Sequence, residues 1–292
     1  MRELKKHTSL QKQIYIMRKR GLKISDEQLA EKVLSSVNYY RLSGYLHNFK
    51  KEDSDAYIEH LNWNILKRIY DFDRKLTHIL MYALEDIEES LKTRMSYAIT
   101  SHYPNDPIIY LKPNIYRQYE SYLRFIEHFY KAKDNNQNLP FVKHHNEEYG
   151  GYLPMRVAVE LFTMGNLHAF YDNLISQYQK EIARVYGTGP RQLASWIENL
   201  TYTRNHLAHY MRIYNFNFGR TPSACKKHPR MFTPSNMIFD QIYIISILYS
   251  DVSEWNNYVV PGIRALIDEY SEDIKLSGLG FPEGWECILL RE

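Results

Sequence analysis

The sequence predicts an all-α protein, a helical bundle with long central helices. Three observations carry this. An apolar stripe with three- and four-residue steps runs from about Trp63 to Thr100. Helix-start signals recur along the chain. Period-two apolar runs bounded by tight hairpin turns are missing.

The elements follow in order. Helices are expected over residues 9–20 and 26–37, the second opened by Ser25-Asp26-Glu27-Gln28, which reads as a capping box. A polar stretch, Lys50 to Asp55, reads as a linker. Residues 1–60 are therefore expected to form a small basic helical subdomain, and 61–292 the main helical domain. In the long helix, Leu66, Ile69, Leu76, Leu80, Leu84, Ile87, Leu91, Met95 and Ala98 make the stripe. Asp73 interrupts it. A carboxylate in core-facing register is costly unless paired, so Asp73 is expected to answer an arginine or, failing that, to brace a site. Further helices are expected over 117–131, 154–177, 190–213, 235–254 and 261–271. Pro154, Pro190 and Pro234 fall at first-turn positions, where a missing N–H costs nothing. Segments 101–116, 132–153 and 215–234 are rich in Pro, Asn and Gly and read as loops.

Composition narrows the class. The 292 residues are 44% apolar, enough for one large core or two smaller ones. The 26 tyrosines exceed the 12 Phe and 4 Trp; they suit a core whose hydroxyls find partners, and some suit base stacking. Two cysteines, Cys225 and Cys287, make no disulfide framework. No apolar run follows the N-terminal basic residues, and Ile242 to Tyr249 is too short to span a bilayer, so a soluble cytoplasmic protein is expected. The net charge is +3, yet residues 1–50 carry eleven Lys/Arg against four Asp/Glu, or +7, leaving −4 for the rest. No acid occurs between Glu198 and Asp240, while Arg204, Arg212, Arg220, Lys226, Lys227 and Arg230 fall in that gap. Such a stretch would attract phosphate, or it is a solvated loop with a chance bias.

The chemistry concentrates in Arg204-Asn205-His206-Leu207-Ala208-His209, inside a segment, Trp196 to Tyr214, that reads as an amphipathic helix. Asn205 and His209 are four apart and share a face, whereas His206 points away from it. A histidine's ordinary pKa near ~6.5 lets it act as general acid or base. Arginine holds phosphoryl oxygens. The set suits cleavage of RNA without a metal: a base deprotonates the 2′-hydroxyl, that oxygen attacks phosphorus, and an acid protonates the departing 5′-oxygen. One protomer offers one such histidine for two jobs, so a homodimer sharing a cleft across a two-fold axis is expected. The same residues also fit a packed histidine beside a surface arginine. Neither a phosphate-cradling Gly-rich loop nor a Gly-x-Ser-x-Gly elbow is present. Cys225 and His228 lack a second spaced pair, so no zinc, and no other cofactor, is expected.

Several blocks carry a family resemblance. Arg204-Asn205-x-x-x-His209 resembles the Arg-x4-6-His signature of HEPN domains, an all-helical family with many metal-independent ribonucleases. Asn38-Tyr39-Tyr40-Arg41-Leu42-Ser43-Gly44-Tyr45 resembles the N-terminal signature of the Abi_2 (AbiD/AbiF-like) abortive infection proteins. Tyr70 to Leu76, Glu85-Asp86-Ile87-Glu88 with Arg94, Leu153-Pro154, Val159-Glu160-Leu161 and Gly165-Asn166-Leu167 resemble its central blocks, and Gly280-Phe281-Pro282 with Trp285 its C-terminal one. The resemblance implies a phage-defence toxin that cleaves RNA, restrained by a partner that in some such systems is a small noncoding RNA. On this reading Arg204, Asn205 and His209 are catalytic, with Asp73 and Glu88 in support. Arg41, Arg212, Lys226, Lys227 and Arg230 are the candidates for RNA contact. The alternative is a noncatalytic RNA-binding or phage-sensing module on the same scaffold; a regulatory dimer without nucleic acid is a third class, against which the basic gap argues.

Overall fold

The computed structural model describes residues 6–224, 226–228 and 231–292. Among them the regular structure is helical, with three isolated pairs of bridged residues and no sheet.

Local chemistry sets the first elements. Ser9 caps α1 (Leu10–Lys19), its Oγ accepting the Lys12 amide at 3.3 Å. In α2 (Glu27–Ser36) the cap is Asp26, which accepts from the Leu29 amide at 2.8 Å. The expected Ser25–Gln28 box therefore does not form: the helix begins one residue later, because the Asp26 carboxylate takes the N3 amide. α3 (Tyr39–Leu46) lies where no helix was expected; Asn38 starts it by accepting from the Tyr40 amide at 2.8 Å.

Central to the fold is α4 (Trp63–Thr100), 38 residues and about 57 Å long. It has the bounds its apolar period predicts, and all nine residues of the stripe are buried. α5 (Tyr119–Asn135) follows, then α6 (Pro140–Glu148), α7 (Met155–Ala158), α8 (Met164–Asn173), α9 (Ser176–Val185) and α10 (Pro190–Ala208). α11 (Ile238–Leu248) is buried along its whole length, as its nearly unbroken apolar sequence requires. α12 (Val252–Glu254), a π turn (Trp255–Val259) and α13 (Val260–Glu269) run on almost continuously, and α14 (Trp285–Leu289) ends the order. α10 packs on α8, α9, α4 and α11, so the candidate catalytic segment lies on a helix anchored from several directions.

Three expectations need correction. The single helix expected over 154–177 is broken at Phe162–Thr163 and again at Leu174–Ile175, where the backbone is extended. Thr163 and Asn166 form a reciprocal capping box, which restarts the chain as α8. The loop expected over 132–153 contains the end of α5 and all of α6, begun by Pro140 in its first turn. Pro190 does start α10, but Pro154 is the cap residue of α7, and Pro234 lies ahead of α11. There the Asp240 carboxylate holds the Asn236 amide at 2.8 Å. The tyrosines divide between core and surface, and those in the core find partners: Tyr110 donates to the Leu153 carbonyl at 2.9 Å and Tyr171 to that of Gln179 at 3.0 Å. No helix among the described residues is long and apolar enough to cross a membrane.

Candidate functional site

α10 turns Leu193, Trp196, Ile197, Leu200 and Leu207 inward and leaves Asn205 outward. The helix expected to reach residue 213 stops at Ala208, with His209 as the residue that ends it. The cause is local. Tyr210 takes the left-handed conformation at φ 56, the Met211 amide bonds back to the His206 carbonyl at 3.0 Å, and the Tyr210 amide to that of Leu207 at 2.9 Å. That pattern closes a helix and normally uses glycine, since a side chain in this region costs roughly 1–2 kcal/mol. Arg41 of α3 supports the strained turn. Its guanidinium donates to the Tyr210 carbonyl and, at 3.5 Å, to that of His209, and it lies 5.9 Å from the Tyr210 ring centre. A cation at the end of the helix also meets the negative pole of its dipole.

The next four residues are held as firmly. Asp73 is buried and, among the described residues, forms no salt bridge with an arginine, although the nearby Arg212 guanidinium favours its charge; what it holds is the backbone that follows α10. Its carboxylate accepts the Ile213 amide at 2.7 Å, the Tyr214 amide at 3.0 Å and the Tyr45 hydroxyl at 2.9 Å. Burial pushes its pKa up to about 6, against the opposing pull of those three hydrogen bonds. Arg212 donates to the Gly44 carbonyl, and burial lowers its pKa. Gly44 itself is neither left-handed nor crowded, and Gly165 meets only ordinary contacts, so neither close packing nor a turn requires them.

His206 faces inward and is 7% exposed. Its Nε2 donates to the Arg212 carbonyl at 2.7 Å, and its ring packs 4.3 Å from that of Phe216. Burial lowers its pKa. A histidine with a depressed folded pKa contributes stability that is complete above its unfolded pKa and is lost as pH falls through the folded value. His206 therefore works against stability on acidification from pH 7 to 5, opposite in sign to the buried Asp73 carboxyl, and His206→Gln is expected to shift the change in melting temperature over that range upward relative to wild type, as thermal scans of both proteins would record.

The remaining three residues face out. Arg204 is half-buried, while Asn205 and His209 are exposed. A terminal nitrogen of Arg204 lies 3.5 Å from the Asn205 side-chain oxygen. Its Nε faces Glu88 of α4 at 3.8 Å, and Glu88 also meets Lys92 at 3.5 Å. The Glu88 contact thus engages one edge of the guanidinium and leaves the terminal nitrogens toward Asn205. Arg204 and His209 are separated by about 7.5 Å along the helix axis. Arg204 also edges an open cleft of about 420 Å³ that carries four carboxylates, Glu85, Glu88, Glu89 and Glu160, against one further cation, Lys92.

The other basic candidates divide. Arg41 and Arg212 are turned onto backbone carbonyls around the helix end. Lys226 and Lys227 are exposed, in the loop that passes the opposite end of α10, where Trp196 donates to the Ser223 carbonyl at 2.8 Å. Arg230 and Cys225 lie outside the described residues. Arg220 pairs with Glu198 at 2.9 Å, so the acid-free stretch is partly neutralised by the helix before it. Tyr45 and Tyr210 carry more of the site than their sequence positions reveal; only the fold brings α3 to the end of α10.

Fold and site together define an all-helical protein that carries a half-buried arginine and an exposed asparagine and histidine at a braced helix end. The chain belongs to the Abi-like protein family (Abi_2), whose family model matches residues 32–215. Every residue of the braced end, from Arg41 through Asp73 and Glu88 to Arg212, falls within that match, whereas Lys226 and Lys227 lie beyond it. Membership points to an abortive infection, or phage-defence, role. No curated protein and no solved structure matches the chain.

Proposed function

We propose that the protein is a metal-independent endoribonuclease toxin of HEPN type, acting in abortive infection as a homodimer and held in check by a partner, such as a small noncoding RNA. One observation carries this reading. An exposed imidazole, an exposed carboxamide and a guanidinium stand together on a helix end whose backbone is fixed by Arg41 and Asp73. Exposure is what a group needs to reach a ribose phosphate, and a fixed backbone is what makes that reach catalytically useful.

In the proposed reaction the His209 ring of one subunit takes the 2′-hydroxyl proton. The 2′-oxygen bonds to phosphorus as the bond from phosphorus to the 5′-oxygen breaks. The His209 ring of the second subunit supplies the proton to that leaving oxygen, giving a 2′,3′-cyclic phosphate and a 5′-hydroxyl. Arg204 meets the charge that develops on the phosphoryl oxygens, and Asn205 orients the phosphate or the ring. Glu88 fixes the guanidinium by its Nε edge. The carboxylates around Arg204 repel phosphate from the cleft side, so RNA approaches from the face that bears Asn205 and His209.

Purified protein incubated with total cellular RNA in a chelator is the test. New ends bearing 2′,3′-cyclic phosphate are expected. RNA left intact but bound in a salt-sensitive manner would overturn the enzyme in favour of an RNA-binding module, for which exposed Lys226, Lys227 and Tyr210 would be the contacts.

A further inference from the structure

A second cluster of cations lies elsewhere on the molecule. Arg94 from α4, His228 from the loop before α11, Ser250 just after α11, and Arg291 near the C-terminus line an open cleft of about 240 Å³ with Tyr186 and Gly187. None of the described residues lining it is a carboxylate.

The two arginines are held in place without being neutralised. Arg94 donates from Nε to the Ser90 hydroxyl at 3.0 Å and lies 5.2 Å from the centre of the Tyr186 ring. Arg291 donates to the Tyr249 carbonyl at 2.6 Å. Neither makes an ion pair among the described residues. Arg291 is half-buried, and burial lowers its pKa with nothing acidic to offset it. His228 donates from Nε2 to the Tyr186 carbonyl at 3.3 Å, and burial, with Arg291 and Lys227 nearby, lowers its pKa as well. Partly buried guanidinium groups without a counter-charge are costly, and two converging on one cleft match a bound anion with several oxygens.

The cleft adjoins a larger groove of about 720 Å³, sharing Arg94, Val185 and Ser250 with it. Tyr97, Ile182 and Val185 give that groove apolar surface for a flat ring. Asp86, Glu89 and Glu181 line it with acceptors for ring amines or ribose hydroxyls; Asp86 also accepts the Ser250 amide at 3.2 Å, and Glu181 meets His102 at 2.8 Å. A cationic end and an apolar, acceptor-lined body together fit a nucleotide.

We infer that this cleft and groove form a nucleotide site in which Arg94 and Arg291 hold the phosphate, separate from the Arg204–His209 set. The nucleotide is a free nucleoside monophosphate or the phosphorylated end of a strand. The site stands whether or not RNA is cut at His209.

Calorimetry on the full chain tests it, with the four nucleoside 5′-monophosphates, the four nucleosides, inorganic phosphate, and a short DNA oligonucleotide with a 5′-phosphate or a 5′-hydroxyl. At least one monophosphate is expected to bind at least ~10-fold tighter than its nucleoside, and inorganic phosphate to compete. Arg94→Gln and Arg291→Gln are each expected to cost ~10-fold in that affinity, and Arg204→Ala to leave it unchanged. The contacts described for the Arg94 side chain are to its helix neighbour Ser90 and to Tyr186, so R94Q is expected to keep the fold and decides the matter if R291Q melts early. Preference for the 5′-phosphorylated oligonucleotide assigns the site to strand ends; discrimination among mononucleotides alone assigns it to the free nucleotide. Equal binding of nucleoside and monophosphate, absence of binding at millimolar concentration, or unchanged affinity in R94Q overturns the inference.

Discussion

Replacing His209 by Ala is expected to lower RNA cleavage by roughly 10²–10⁴-fold, the usual worth of a positioned acid or base. Growth arrest on expression should vanish with it. Melting temperature and RNA retention should stay near wild type. The ring is exposed, and the contacts described for this residue run through its backbone: the amide to the Asn205 carbonyl at 3.1 Å and the carbonyl to Arg41. Deleting the side chain therefore removes chemistry and little else. Cleavage by His209→Ala at the wild-type rate would sink the assignment of this imidazole.

The second large effect is on stability. Asp73→Ala is expected to cost about 2–5 kcal/mol, because two buried amides and the Tyr45 hydroxyl lose their acceptor together. For a chain of 292 residues that corresponds to a fall of about 3–8 °C in melting temperature. Asp73→Asn should fall between, since an amide oxygen still accepts while its NH₂ faces donors. The ionisation has its own sign. A carboxyl raised to about 6 in the folded state binds its proton more tightly there than in the unfolded chain. Its contribution is complete below the ordinary Asp value and is lost as pH rises through about 6. Asp73→Asn should flatten that slope between about pH 4 and 6. A melting temperature for Asp73→Ala within a degree of wild type would rule out the brace.

Some of this was legible in the residues and some was not. The period of the apolar stripe placed Trp63–Thr100 because one mechanism, burial of one helix face, dominates over its whole length. Asp73 stood out for the same reason: a charge in that stripe needs a compensating partner. Short elements escaped because each is decided by one or two side chains. Asn38 starting α3, the Thr163–Asn166 box restarting α8, and Pro140 opening α6 are weak signals until neighbours fix them. The end of α10 escaped for a different reason. Tyrosine is a poor choice for a left-handed position, and nothing near Tyr210 in the chain explains its presence there. The explanation is Arg41, which lies 169 residues away in sequence. Charge counting had the same blind spot: the basic residues of the acid-free gap include Arg212, turned inward onto Gly44, and Arg204, which meets Glu88.

The tie between α3 and the tail of α10 limits how far this molecule can be shortened. Arg41, Gly44 and Tyr45 each supply an atom to the scaffold under His209, Arg212 or Asp73. A trimmed version that begins at the long helix would retain Arg204, Asn205 and His209 and yet lose the struts that hold the backbone beneath them. A miniature that preserves this helix end must keep residues 39–46, and a ligand that pries that short helix loose would unsettle the backbone under His209 without ever approaching its ring.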